Sequence, residues 1–161
     1  MKKTFAMLLT VGMTLGVGAC GQSATNSADT LTWEQSNQEY KKTTENFPFA
    51  LSDGDQFPSD MTKATSDNQL YQKGWGEGQA YFYWICSTEN KILNNSDDGS
   101  DQQSLSELEK VTDTDWFKTY YIDEDNVFKN EVIGKAQLGD TSVMQQFYDS
   151  DCTWYRDVNG L

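Results

Sequence analysis

Apolar side chains recur at helical spacing through most of the second half of the chain. In "GWGEGQAYFYWICSTENKILNN" they fall three or four positions apart, with one acidic member, at Phe82, Ile85, Cys86, Glu89, Ile92 and Leu93. Aromatic residues crowd positions 81–85, so this helix would be buried from several directions. A strand over "AYFYWIC" is the alternative, because aromatic residues favour strands. We predict a central helix, since the pattern continues through "TENKIL", beyond the usual length of a strand.

Four amphipathic segments follow the predicted central helix. Their apolar positions are Leu105, Leu108 and Val111; Trp116, Phe117, Tyr120 and Tyr121; Val127, Phe128, Val132 and Ala136; and Val143, Met144, Phe147 and Tyr148. Ser104 and Glu107 match a capping box at the start of the first segment, and Gly139 suits the end of the third. The pattern predicts a mostly α fold, a small helical domain of about four helices.

The region before the central helix lacks this periodicity. Residues 31–60 open with a polar, weakly amphipathic stretch, which predicts an early helical turn followed by irregular or short-strand structure. Pro48 and Pro58 bias the residue before each of them towards extended geometry. We expect an irregular N-terminal extension that packs onto a core formed elsewhere through Phe47, Phe49, Leu51 and Phe57.

The first twenty residues show a different pattern. Lys2 and Lys3 precede residues 4–19, which carry no charge. This apolar run is shorter than the roughly 20 residues that a spanning helix needs, so it indicates an export signal. A short membrane anchor or a buried helix is the alternative. Small residues just before Cys20 favour the export signal.

The stretch "VGAC", Val17 to Cys20, resembles the lipobox of bacterial lipoproteins. The resemblance implies that the Cys20 thiol receives a diacylglyceryl group and that cleavage makes Cys20 the acylated mature N-terminus. The predicted organisation is a signal peptide at 1–19, a lipidated N-terminus and flexible tether at 20–30, and a single helical extracytoplasmic domain at 31–161. The predicted location is the extracytoplasmic face of the cell membrane.

Charge limits the classes of partner. The chain has 12 basic and 25 acidic residues, a net charge of −13, which becomes −15 without Lys2 and Lys3. Such a charge disfavours nucleic acid and anionic lipid head groups. The expected partners are the membrane, through the lipid on Cys20, and an unidentified protein or cell-wall component. A solvated, repulsive surface explains the charge more simply than an acidic binding face.

Cys86 and Cys152 are the other two cysteines. Outside the cytoplasm, two cysteines in one small domain most often form a disulfide, which we predict here. Two buried free thiols are the alternative, whereas a metal site lacks nearby partner residues. The disulfide would join the central helix to the end of the last helix and draw Trp154 and Tyr155 back onto it.

Two longer segments, "GEGQAYFYWIC" and "AQLGDTSVMQQFYDSDC", are similar to segments of uncharacterised secreted or lipid-anchored proteins of actinobacteria. The resemblance covers Trp75 to Trp154. It implies an extracytoplasmic helical domain and no particular activity.

The residue types exclude several chemistries. The chain has no histidine, which removes Ser-His-Asp and Cys-His catalysis and the usual zinc ligand sets. The glycines of "GWGEG" predict a flexible turn into the central helix, not a phosphate-binding loop. "DEDN" and "DGD" lack the remainder of an EF-hand pattern, so only incidental calcium binding is expected. We assign no catalytic residue, cofactor or metal.

Two features leave the function open. The carboxylate pairs Asp113 with Asp115 and Asp149 with Asp151 could serve a cell-envelope glycan hydrolase. The aromatic excess is either core or a binding platform, formed by Trp75, Tyr81, Tyr83, Trp84, Trp116, Tyr120, Tyr121, Trp154 and Tyr155. We predict a lipid-anchored, non-enzymatic binding or accessory module, with the hydrolase as the alternative. A structural or immunity-like surface protein is a third possibility.

Overall fold

The chain is described by a computed structural model that covers residues 30–52, 54–63, 69–94 and 100–161. Cys20 and the predicted signal peptide lie outside these residues, as does the predicted tether up to residue 29. Strand β1 (Thr30–Leu31) pairs antiparallel with β2 (Tyr71–Gln72), so that Thr30 lies opposite Gln72. The mostly helical fold class predicted from the sequence is confirmed.

Six α-helices are present in the described residues. They are α1 (Trp33–Glu45), α2 (Trp75–Asn94), α3 (Ser100–Lys110), α4 (Gly134–Gln137), α5 (Ser142–Asp151) and α6 (Thr153–Asn159). Two π-helical segments, Phe117–Tyr121 and Phe128–Ile133, and two 3₁₀ turns, Val111–Asp113 and Glu124–Asn126, connect α3 to α4. None of the described helices is both long and apolar enough to cross a membrane.

Helix α2 is the centre of the fold, as predicted, and the strand alternative is wrong. It contacts α1, α3, α5 and α6, and its side chains from Ala80 to Glu89 are buried at all positions except Phe82. The main core gathers around Trp84 and Ile85. Buried partners come from the predicted apolar stripes, with Leu108, Phe128 and Met144 among them.

Helix α1 is longer than the predicted helical turn. Thr32 and Gln35 form a capping box, in which the Gln35 backbone N–H donates to Thr32 Oγ1 and the Thr32 N–H donates to Gln35 Oε1. Its buried residues are Ser36, Asn37 and Tyr40. Since this face is polar rather than aliphatic, hydrophobic periodicity alone did not reveal the helix.

The irregular segment after α1 is held by side chains of α2. Trp84 Nε1 donates to the Ala50 carbonyl at 2.8 Å, and Tyr83 Oη donates to the Gln56 carbonyl at 2.9 Å. Ser52 donates two hydrogen bonds to Ser87, from its N–H to Ser87 Oγ at 3.1 Å and from its Oγ to the Ser87 carbonyl at 2.8 Å. The phenylalanines of this segment pack on the core, as predicted for Phe47, Phe49 and Phe57 and for Leu51.

Glycine lets α1 and α2 approach closely. A Cβ atom on Gly76 would lie 1.9 Å from the Ser36 carbonyl oxygen and 2.8 Å from the Tyr40 backbone nitrogen. Gly74 has a φ of +86° in the turn before α2, as expected of a glycine there. The prediction of a flexible turn is wrong for Gly76 and Gly78, which lie within α2.

Candidate functional site

A cavity of about 200 Å³ lies between α2 and the junction of α5 with α6. Five aromatic side chains line it, namely Trp75, Phe82, Tyr83, Trp154 and Tyr155. The remaining lining residues are Gln79, Cys86 and Asp151. We call this cavity the aromatic pocket.

The two walls of the aromatic pocket come from distant parts of the chain. On α2, positions 75, 79, 82, 83 and 86 share one face because of the helical period. The opposite wall comes from the end of α5 and the start of α6. The Cys86–Cys152 disulfide predicted from the sequence joins these walls, with 5.5 Å between the two Cα atoms. The bridge therefore fixes the separation of α2 from α6 beside the pocket.

Both tyrosines of the aromatic pocket are held by hydrogen bonds to other parts of the chain. Tyr83 Oη donates to the Gln56 carbonyl and accepts from Asn159 Nδ2 at 3.1 Å. Tyr155 Oη donates to the Asp55 carboxylate at 2.8 Å. Burial raises the pKa of both phenols, so both stay neutral. Each residue is 1% exposed, so the two side chains form a fixed wall of the pocket.

The tryptophans of the aromatic pocket are more accessible. Trp75 is 46% exposed, and its ring lies 6.1 Å from that of Tyr71. Trp154 is half-buried and packs edge-on against Tyr83, with 5.5 Å between ring centroids. An exposed tryptophan beside a fixed apolar wall is an arrangement that can accept part of a ligand.

A second groove of about 190 Å³ lies beside the aromatic pocket and shares Trp75, Gln79 and Phe82 with it. Lys73 and Tyr120 also line this groove, and Tyr120 is 44% exposed. The two cavities thus differ in charge, since the second groove contains an ammonium group and the aromatic pocket contains a carboxylate.

Glu89 is a fully buried acid close to the disulfide. Its Oε2 lies 3.6 Å from Cys152 Sγ, and its Oε1 has no hydrogen-bond partner. Burial, and then the nearby Asp151 carboxylate, raise the pKa of Glu89 well above its ordinary value. A disulfide sulfur carries no hydrogen, so in this contact the protonated carboxyl donates to Sγ.

The predicted carboxylate pairs do not form a shared site. Asp113, Asp115 and Asp149 are exposed and lie outside the aromatic pocket, whereas the exposed Asp151 lines it. The described residues contain no group of three or more His, Cys, Asp or Glu side chains placed to hold a metal ion.

The aromatic residues divide between the two predicted roles. Tyr81, Trp84 and Trp116 are buried in the main core. Trp75 and Trp154 line the aromatic pocket, whereas Tyr83 and Tyr155 both line it and belong to a second buried cluster. Sequence reasoning missed Gln79 as a pocket residue and did not list Phe82 in the platform. Their spacing of four and seven positions from Trp75 would have placed them on the same helix face.

Comparisons with protein-family models, with curated proteins and with solved structures found no match for this chain.

Proposed function

We propose that the protein is a lipid-anchored surface lipoprotein that works as a non-enzymatic binding module and takes its ligand into the aromatic pocket. The observation that carries the binding role is the 46% exposed Trp75 at a cavity with four further aromatic side chains. The anchoring role depends on the lipobox resemblance of "VGAC" and on the uncharged run before it.

Preorganisation supports binding in the aromatic pocket. The Tyr83 and Tyr155 hydroxyls are already bonded to the protein, and the disulfide joins the two walls. A ligand would therefore meet a wall whose side chains lose little further freedom when it binds. The hydrogen bonds from Tyr155 to Asp55 and from Asn159 to Tyr83 then fix the shape of the pocket and are not themselves ligand contacts.

The carboxylate geometry favours binding over glycan hydrolysis. Glycoside hydrolysis needs two carboxyl groups on either side of the scissile bond. Within the described residues, Asp151 is the single acid that lines the aromatic pocket, and Glu89 is fully buried behind it. The hydrolase alternative thus lacks its second group at this site.

The anchoring half of the proposal is tested by metabolic labelling with a fatty acid. We expect the wild-type chain to carry the label and Cys20→Ala to lose it, because the thiol is the acceptor of the lipid. Cys86→Ala/Cys152→Ala serves as the control that removes cysteines without touching the lipobox. Equal labelling of wild type and Cys20→Ala would contradict lipid anchoring.

The binding half is tested by saturation-transfer NMR on the full-length protein in a neutral maltoside detergent. Small-molecule fractions of the native envelope are added, and ligand signals are recorded for the wild type, Trp75→Ala and Val158→Ala. We expect signals that disappear in Trp75→Ala and persist in Val158→Ala, since Val158 is 48% exposed and does not line the pocket. Signals that survive unchanged in Trp75→Ala would place binding elsewhere.

A further inference from the structure

The aromatic pocket combines features that attract positive charge. The faces of aromatic rings carry negative electrostatic potential, and the pocket offers the two accessible rings of Trp75 and Trp154 together with the Asp151 carboxylate. None of the described residues that line it is Lys or Arg. Arg156, the nearest basic residue in sequence, lies over the Tyr148 ring and within 3.8 Å of Asp149 instead. The net charge of −13 further raises the local concentration of cations around the protein.

The number of hydrogen-bond acceptors in the aromatic pocket limits the kind of cation that it can bind. A primary ammonium brings three N–H donors, each of which needs an acceptor when it is buried. The Tyr155 hydroxyl is already bonded to Asp55, and the Tyr83 hydroxyl to Gln56 and Asn159. This leaves the side chains of Gln79 and Asp151 as the polar groups facing the cavity. A cation without N–H donors therefore fits better than lysine-like or guanidinium groups.

We propose that the aromatic pocket binds a quaternary ammonium head group, with Trp75 and Trp154 contacting its methyl groups and Asp151 balancing its charge. This inference rests on the proposed binding function and names its ligand class. The volume of about 200 Å³ is below the roughly 300–1,000 Å³ of pockets for drug-sized ligands, which limits the ligand to a compact group. The neighbouring groove repels the same group through Lys73, so the two cavities are not equivalent.

The test is isothermal titration calorimetry on the full-length protein in a neutral maltoside detergent. Choline is compared with 3,3-dimethyl-1-butanol, which has the same shape but no charge. We expect choline to bind at least about tenfold more tightly, because the rings and the carboxylate favour the charge. Equal affinity for the two compounds would overturn the cation proposal while leaving the pocket as a binding site.

Matched variants locate the site. Asp151→Asn and Trp75→Leu should each weaken choline binding several-fold, the latter because leucine keeps apolar bulk but lacks an aromatic face. Asp157→Asn removes the same charge from an exposed position outside the pocket and should leave the affinity unchanged. Both altered pocket residues are exposed, so circular dichroism should show an intact fold. Choline affinity unchanged in Asp151→Asn and Trp75→Leu would also overturn the proposal.

Two further results separate this proposal from the function on which it rests. No choline binding, together with envelope ligands lost in Trp75→Ala, would overturn the cation class and leave the binding function standing. If neither choline nor an envelope ligand binds, both the cation proposal and the binding function are contradicted. When choline binds, competition by phosphatidylcholine but not by phosphatidylglycerol, each added in mixed micelles with the same detergent, assigns the head group to a lipid. Lack of competition assigns it to a soluble molecule.

Discussion

At the residue scale, Glu89 is the side chain whose state depends most on its surroundings. It is 0% exposed, its Oε1 is without a partner, and the Asp151 carboxylate is near. Tyr121 and Tyr148 also interact with it electrostatically, and neither carries a positive charge that could stabilise a carboxylate. Glu89 therefore keeps its proton to a higher pH in the folded protein than in the unfolded chain, and its Oε2 lies 3.6 Å from Cys152 Sγ.

The protonation of Glu89 predicts a pH-dependent stability. The unfolded chain loses this proton above about pH 4.3, whereas the folded chain keeps it to higher pH. The stabilising contribution is thus complete below about pH 4.3 and is lost as the pH rises through the folded-state pKa, by up to about 1.4 kcal/mol per pH unit. Glu89→Gln cannot ionise, so it should become more stable relative to wild type as the pH rises.

Urea unfolding followed by circular dichroism between pH 4 and pH 8 measures this difference. Glu45→Gln is the matched control, because Glu45 is exposed at the end of α1. The effect of burial is measured as the pH-dependent difference between Glu89→Gln and Glu45→Gln. If Glu89→Gln and wild type showed parallel pH profiles, Glu89 would be ionising as it does in water.

At the element scale, two capping motifs had different outcomes. Thr32 and Gln35 cap α1, and this motif could have revealed the helix from the sequence. Ser104 and Glu107 match the same pattern, but the prediction that they begin α3 is wrong, since α3 starts at Ser100 and Ser104 is buried within it. Residues 100–103 contain no helix breaker, so the helix extends through them.

The contact between α1 and α2 predicts a severe effect of one methyl group. Gly76→Ala places a carbon 1.9 Å from the Ser36 carbonyl oxygen, so the helices must separate. We expect a loss of about 2 kcal/mol or more in the free energy of unfolding. Gly134→Ala is the control, because its Cβ would meet nothing closer than 3.4 Å.

Urea unfolding of the full-length protein distinguishes the two glycine variants. Gly134 has helical backbone angles, so alanine there should be neutral or stabilising by about 0.5 kcal/mol. Equal effects of the two substitutions would show that the close approach of α1 and α2 does not limit stability.

At the scale of the whole molecule, the disulfide joins the central helix to the last two helices of the chain. Cys86 lies in the middle of α2 and Cys152 lies between α5 and α6, 66 positions later. Tyr155 donates a hydrogen bond to Asp55 of the irregular segment, and Asn159 donates one to Tyr83 of α2. These bonds hold the C-terminal helix against the rest of the fold, as predicted. The last helix is thus part of the core and not an appendage.

Loss of the disulfide should destabilise the whole domain. Closing a loop of this length removes roughly 4 kcal/mol of unfolded-state freedom in the chain-entropy model. We expect Cys86→Ala/Cys152→Ala to lose about 2–5 kcal/mol of unfolding free energy. The comparison is made in a Cys20→Ala background, so that only these two sulfurs differ. Two titratable thiols in the unfolded, unreduced background protein would contradict the bridge.

Much of the helical framework could be predicted from the sequence, because the helical period is a local property. The spacing around Trp84 identified α2, and the stripes of Leu105, Leu108 and Met144 identified buried faces that the structure confirms. Two cysteines behind an export-like N-terminus were enough to predict Cys86–Cys152. Hydrophobic periodicity did not reveal α1, because the buried face of this helix is polar. It also placed Val127 in the core, although Val127 is exposed, because the spacing of apolar residues does not show whether a helix face meets the core or solvent.

The candidate site was decided by tertiary structure. Helical spacing placed Trp75 and Tyr83 on α2, but whether such rings face solvent, core or a cavity depends on which element packs beside them. Here α6 places Trp154 beside Trp75 and Tyr83, from which more than half of the described chain separates it in sequence. The aromatic pocket lies between them, next to the disulfide. The same packing seals Glu89 from water while Asp151 stays exposed. Long-range contacts set these environments, and no local pattern encodes them.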